Sequence, residues 1–401
     1  MVLSRDTVSE APPKDTVTNA KATSAKRGTQ TVPDAQRGGV QQDDDRAKAL
    51  LLYGTDSIYQ LSPRKSGMKY YELGSDPAQD IVISSPYVSA RQCRLYPTRS
   101  GLKVVDSKSK NGTYFEGKRR TSFEVEPGRT FFVGARLHQL VVLNEPMRAS
   151  YPALAAILGY EDEHVIHSET PSPSELIVAA VDGPHMLITS ESNCEQGRLA
   201  QIIHEISLLR DRTLIPFDHA SGRQELESDL LQHCAATVLL DLSDNRERIS
   251  PTLTARLFSL RYQTRLIALA SAVDIANAAL GERYVRKMKH IWLEPLSGRA
   301  KAIQRLLDME FRALGADLRF NAMSAHNQAA LRNYRWPDNF GSLRVAARRL
   351  LAIAQAGTLR GAARALQMDH GTLTNWYREQ VRLELRLLES WPDKRHASTL
   401  G

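Results

Sequence analysis

Hydrophobic and polar positions change rhythm several times along the 401 residues. Residues 1–47 hold almost no aromatic or large apolar side chains, so they cannot bury enough surface to offset chain entropy and are expected to be disordered. Residues 48–145 carry short apolar runs at 50–53, 69–73, 80–83, 93–97, 102–106, 112–115, 123–125, 130–133 and 139–143, parted by Gly, Pro, Ser and Asn. That spacing predicts an all-β sandwich, whose end loops are where binding chemistry belongs. Residues 146–173, with Pro146, Pro152, Pro171 and Pro173 and the acidic Glu161, Asp162 and Glu163, read as a linker with a short helix at 153–158.

Residues 174–300 alternate apolar runs (177–181, 185–189, 214–217, 237–241, 265–271) with helical stretches beginning at Arg198 and covering 225–233 and 252–259. Alternation of this kind predicts a parallel sheet with helices on both faces. In such sheets the ligand crevice lies at the carboxyl ends of the strands, where Ser190 to Gln196 and Asp241 fall. Residues 301–356 read as a helical lid; within it Leu343, Ala346, Ala347, Leu350, Leu351 and Ala354 form a helix-spaced stripe. Residues 357–401 hold two short helices, 358–366 and 371–378, around a turn at 367–370, a helix-turn-helix pattern. The fold class is therefore multidomain: a β-sandwich, an α/β parallel sheet with a helical lid, and an all-α end.

Composition adds little until charge is considered. The formal net charge of +8 favours polyanion or phosphorylated partners. Cys93, Cys194 and Cys234 lie far apart, with neither zinc spacing nor a disulfide framework, which fits a reducing cytosol. There is no apolar run of transmembrane length and no apolar signal core at the N-terminus. A cytoplasmic, soluble chain without metal or cofactor is expected.

The motif order in 48–145 is more specific. Gly74 ends one run; DIVI at 80–83, VSARQCRL at 88–95, VVD at 104–106, SKNGTY at 109–114 and a Gly128 turn before VG at 133–134 follow. This succession resembles the forkhead-associated (FHA) domain, a β-sandwich whose end loops grip phosphothreonine peptides. The resemblance implies Ser89 as a phosphate donor, Asn111 as a loop brace and peptide contact, and Gly112 and Thr113 as the rest of that turn. Three positions depart: Ser75 and Ala90 stand where the family has arginines, and Gln92 where it has a bracing histidine. Phosphate needs charge-assisted donors, and Arg91 or Lys110 can substitute from neighbouring positions. Thr31, with Asp34 three residues on, is a candidate self-ligand in the chain's own N-terminal tail.

Residues 190–197, SESNCEQG, followed by Ile203 and His204, resemble the phosphate loop of the AAA+ module of NtrC-like sigma-54-dependent activators. That loop needs glycines and a lysine to cradle phosphates. Here Ser190, Asn193 and Glu195 replace the glycines and Gln196 the lysine. Asp241 keeps the magnesium-side carboxylate, but Leu242 replaces the catalytic glutamate. RLIA at 265–268 resembles the sensor strand, and Pro295, Leu296 and Arg299 the lid entry. YRWPDNFGSL at 334–343 resembles the lid signature, with Gly341 in place of the phosphate-sensing arginine. Arg283 and Arg286 are the nearest candidates for arginine fingers. The sigma-contacting insertion is missing between 217 and 237. These losses would compound in phosphoryl transfer, so the resemblance implies a pseudo-ATPase and no enzyme.

The last segment resembles the Fis-type DNA-binding unit that ends these activators, with Gln367 where a turn glycine is usual. Thr372, Thr374 and Asn375 are expected toward bases, and Arg360, Arg364 and Arg378 toward the phosphate backbone. The combined expectation is a bacterial DNA-binding transcription regulator, dimeric, that docks a phosphothreonine protein or its own tail. The alternatives are a phosphothreonine-dependent adaptor without DNA binding and an ATP-binding switch that does not hydrolyse.

Overall fold

A computed structural model describes residues 46–55, 57–61, 69–159, 170–218, 235–242, 249–259, 263–384 and 386–388. The N-terminal tail with Thr31, the acidic run at 161–163, the expected helix at 225–233, Cys234 and the last thirteen residues lie outside them.

The first layer pair is a sandwich. One sheet runs β2 (Ile58–Gln60), β1 (Ala49–Leu52), β11 (His138–Leu143), β10 (Thr130–Val133), β7 (Thr113–Phe115), β8 (Lys118–Arg119), antiparallel throughout. The other runs β4 (Ile81–Val82), β3 (Tyr71–Gly74), β5 (Cys93–Thr98), β6 (Gly101–Asp106), β9 (Ser122–Val125). Period-2 alternation puts Leu50, Leu140 and Val142 into the interior with Leu73, Leu95, Leu102 and Val104 from the facing sheet.

The opposite face of β1 and β11 is not left to solvent. Ala49, Leu51, Val141 and Leu143 pack into one core with helix α1 (Glu145–Leu158), helix α2 (Pro173–Asp182) and the next sheet. This corrects the linker expectation for the described part of 146–173. Asn144 caps α1 by accepting from Met147 N at 3.2 Å, and Pro146 sits in the first turn, where no N–H is needed. The apolar run at 177–181 lies in α2, which carries a capping box between Ser172 and Glu175. The contact is close: Gly128 has φ +77°, and a Cβ there would lie 2.2 Å from Val181 Cγ2. Gly54 N donates to Ser174 Oγ at 3.1 Å, and Arg129 pairs with Asp182.

The second sheet is wholly parallel, ordered β13 (Leu214–Asp218), β14 (Thr237–Asp241), β15 (Arg265–Ala270), β12 (Met186–Ser190), β16 (Lys289–Leu293). Pro216 is tolerated because β13 is an edge strand. Helix α3 (Gln196–Glu205) packs with α1 and α2, while α4 (Pro251–Leu257), α5 (Val273–Leu280) and α6 (Glu282–Val285) join the core that buries Leu240, Leu242 and Ala268. Two arginines are buried as helix caps. Arg265 donates to Ala179 O and Ala180 O at the end of α2, and Arg299 to Ile157 O at the end of α1. Burial pushes both guanidinium pKa values down to about 10.

The helical part consists of α7 (Ala302–Ala313), α8 (Ala325–Arg332), α9 (Asn339–Ala356), α10 (Leu359–Ala365) and α11 (His370–Asn375), the last continued by a π-helical turn at Trp376–Gln380. Lid and C-terminal pair share one core, in which Leu343, Leu350, Ala362, Ala363, Leu373, Trp376 and Tyr377 are buried together. No helix among the described residues is long and apolar enough to cross a membrane.

Candidate functional site

At one end of the sandwich three loops meet: 75–80, 84–92 and 107–112. Their centre is Gln92, which is fully buried. Its Oε1 accepts from Ser89 N at 3.0 Å, and its two Nε2 hydrogens are shared among Ser109 Oγ, Gly112 O and Thr113 Oγ1 at 2.8, 2.9 and 3.1 Å. The Ser109 and Thr113 hydroxyls in turn donate to Asp106 Oδ1 at 2.6 and 2.7 Å. A buried network is worth having only when every member is satisfied, and this one is closed. The sequence flagged Gln92 as a departure; an amide carries one acceptor and two donors, and here it ties the 84–92 loop to the 107–112 loop.

Above this brace, Ser89 Oγ accepts from Lys110 N at 3.0 Å. Asn111 Nδ2 donates to Tyr87 O at 2.8 Å, tying two loops. Ser75 N donates to Ser89 O at 3.0 Å, bringing in the third. Arg91 and Lys110 are exposed at the same end. Gly112 and Thr113, expected with Ser89 and Asn111 as part of the phosphopeptide-binding turn, lie deeper: Thr113 is fully buried and Gly112 is covered by the Arg119 side chain, so both support the turn from beneath. Arg119, which sequence reading missed, donates to Ser109 O at 2.8 Å.

The second candidate is the loop between β12 and α3. Asn193 and Glu195 adopt left-handed φ values of 57° and 67°, the backbone that glycine supplies without strain. Their side chains turn onto the lid. Asn193 Nδ2 donates to Asp338 Oδ1 at 2.6 Å, and Phe340 N donates to Asn193 O at 3.1 Å. Glu195 accepts from Arg344 of α9 and lies 3.7 Å from Arg198. Asn339, nearly fully buried, donates to Ser192 O at 3.0 Å and accepts from Leu296 N at 2.9 Å. Gly341 belongs to this latch: a Cβ there would meet Asp338 Oδ2 at 2.0 Å, so a side chain at 341 would displace the partner of Asn193.

The remaining positions of this loop scatter. Ser190 is buried, and among the described residues its hydroxyl has no hydrogen-bond partner. Gln196 opens α3 half-buried, Asp241 is exposed at the end of β14, and Leu242 is fully buried in the core. Cys194 is buried, and burial pushes its thiol up to about 11. Of the two finger candidates, Arg283 donates to Tyr284 Oη at 2.6 Å and Arg286 pairs with Glu282. Among the described residues no group of three His, Cys, Asp or Glu side chains is placed to hold a metal.

At the C-terminal pair, Thr358 caps α10 by accepting from Gly361 N at 3.1 Å, and Asp369 caps α11 by accepting from Thr372 N at 2.8 Å. Gln367 takes a left-handed φ of 53° in the turn between them. Arg360, Arg364, Thr372, Asn375 and Arg378 are exposed. Thr374 is half-buried, 3.5 Å from His370, an exposed residue at the start of α11 that sequence reading did not single out. The chain then returns along the lid: Glu384 N donates to Asn327 Oδ1 at 2.7 Å, and Ser324 N to Leu387 O at 3.1 Å.

A comparison with curated protein sequences gives no match. Among solved structures, an FHA domain from a study of phosphothreonine-dependent FHA domain interactions is 19% identical, covering 24% of this chain and 96% of that one, with a TM-score of 0.22. Mycobacterium tuberculosis EmbR in complex with a low-affinity phosphopeptide is 20% identical, covering 25% of this chain and 24% of that one, at 0.22. NtrX from Brucella abortus in complex with ATP is 14% identical, covering 50% of this chain and 64% of that one, at 0.34. The family model for the FHA domain matches residues 71–134, the stretch holding Ser89, Gln92, Asn111 and Thr113, so the braced loops belong to an FHA domain.

Proposed function

We propose that the protein is a DNA-binding regulator whose FHA domain docks a phosphothreonine segment and whose middle module is a scaffold that does not hydrolyse ATP. The observation that supports this best is a shared division of labour at the two ends. Residues that hold the loops or helices (Gln92, Thr113, Ala362, Leu373) are buried, while those expected to meet ligand (Arg91, Lys110, Arg360, Arg364, Asn375, Arg378) are exposed. Ser89 and Asn111 supply hydrogen bonds to the docked peptide, with cationic help from Arg91 and Lys110 in place of the arginines that family members carry at positions 75 and 90. The docked segment belongs to another protein or to the chain's own tail at Thr31. The AAA+-like middle carries Gln196 and Gly341 at the positions where the family it resembles has phosphate-handling cations, and its loop is engaged by the lid. The C-terminal pair reads DNA as a dimer, with Thr372, Thr374 and Asn375 toward bases.

Two assays test this. A phosphothreonine peptide library compared with its unphosphorylated counterpart should show phosphate-dependent binding that Ser89→Ala abolishes; no difference ends the docking half. A DNA shift assay should lose affinity steeply with salt, as phosphate contacts do; salt-independent retention or no retention favours the adaptor reading.

A further inference from the structure

A cleft of about 820 Å³ lies between α8 and the end of the helix that begins with α11. That volume is within the ~300–1,000 Å³ typical of small-molecule sites. One wall is a single face of α8, since His326, Ala330 and Asn333 are spaced four and three apart. Its far wall is Glu379 to Arg382, where the helix has widened into a π-helical turn and Arg382 takes a left-handed φ of 63°. Widened turns and strained residues of this kind concentrate at functional sites.

The chemistry of the lining is uneven. Arg335 and Arg382 both line the cleft, and among the described residues neither guanidinium has a hydrogen bond or ion pair. Against them stands one carboxylate, Glu379; His326 has its own acidic partner, Glu384, at 3.5 Å. Apolar surface comes from Ala330, Pro337 and Val381, and the Tyr334 ring is fixed edge-on against Trp336 with centroids 5.0 Å apart. Two uncommitted guanidinium forks beside an aromatic and aliphatic wall suit a flat apolar body carrying a carboxylate or sulfonate.

We propose that this cleft binds a small anionic ligand with an aromatic body, tying α8 to the end of the helix that begins with α11. The site stands apart from the FHA loops, and its test does not need DNA binding to be correct. The probe is 8-anilinonaphthalene-1-sulfonate titrated into the full chain, followed by fluorescence and displaced with naphthoate. Saturable one-to-one binding is expected. Arg335→Glu and Arg382→Glu, both exposed, should each weaken it on the order of tenfold, the worth of one charge-assisted contact, without moving the melting temperature. Ala329→Trp, which fills the cleft from an exposed position, should block it. Non-saturable binding, or affinity unchanged in all three variants, overturns the proposal. If the arginine variants leave the probe unaffected but weaken a DNA shift, those cations serve the DNA backbone and the proposal is likewise overturned.

Discussion

The loops around Gln92 and the loop at 190–196 have both lost residues that their family resemblances would supply, and the losses have opposite structural outcomes. At the sandwich end, the replacing residue is buried beneath the loops and satisfies Ser89 N, Ser109, Gly112 and Thr113. Ser89, Arg91 and Lys110 are left facing outward. In the α/β module, two of the replacing residues are themselves tied to the lid, Asn193 to Asp338 and Glu195 to Arg344. A substitution that repairs the support keeps a site available. A substitution that engages the protein's own atoms fills it.

Three experiments sharpen the contrast, from the largest expected effect to the smallest. Gln92→Ala leaves Ser89 N and Gly112 O without a partner, takes one of two hydrogen bonds from each of the Ser109 and Thr113 hydroxyls, and opens a void. At ~1–3 kcal/mol for each unsatisfied group, partly recovered by water, a loss of about 3 kcal/mol is expected in urea unfolding. A loss under about 1 kcal/mol would mean that Gln92 is no brace. Asp338→Ala removes one exposed member of the latch and should cost about 1 kcal/mol, while speeding proteolytic cleavage at 191–195. Unaltered cleavage would show that the lid is held without Asn193.

The smallest effect concerns pH. His204, bonded to Thr237 Oγ1 at 2.9 Å, and His185, accepting from Leu266 N at 3.0 Å, have pKa values lowered by burial, with Arg265 nearby adding to the shift in both. The fold therefore holds them neutral, and the unfolded chain binds more protons. Their contribution is complete above the unfolded value of roughly 6.5 and is lost as pH falls through that value toward the lowered folded ones. The urea midpoint should drop between pH 7.5 and 5.5, and less so in His204→Gln; an equal drop in the variant would remove His204 from the account.

Much of this architecture was legible in local pattern. Period-2 alternation located most strands of the sandwich, and the helix stripe at 343–356 located most of α9, which starts earlier at Asn339. What was missed was short or non-local. β2 (Ile58–Gln60) and β8 (Lys118–Arg119) are too brief to show a period. Pro146 and Pro152 made α1 look like a linker, although one proline sits where a helix needs no donor and the other is accepted within a well-packed helix. Gln92 was visible only as a loss, because three of its four partners lie 17 to 21 positions away. The latch could not be read at all, since Asn193 and Asp338 are 145 positions apart and no local rule pairs them.

The central claim is that the repaired loop docks a ligand and the filled loop does not, and calorimetry on the full chain tests both halves at once. Titration with a phosphothreonine peptide selected from the library should give saturable heat that vanishes with the unphosphorylated peptide. Titration with magnesium ATP should give none. Micromolar ATP binding with magnesium, or a peptide signal indifferent to the phosphate, would contradict the account.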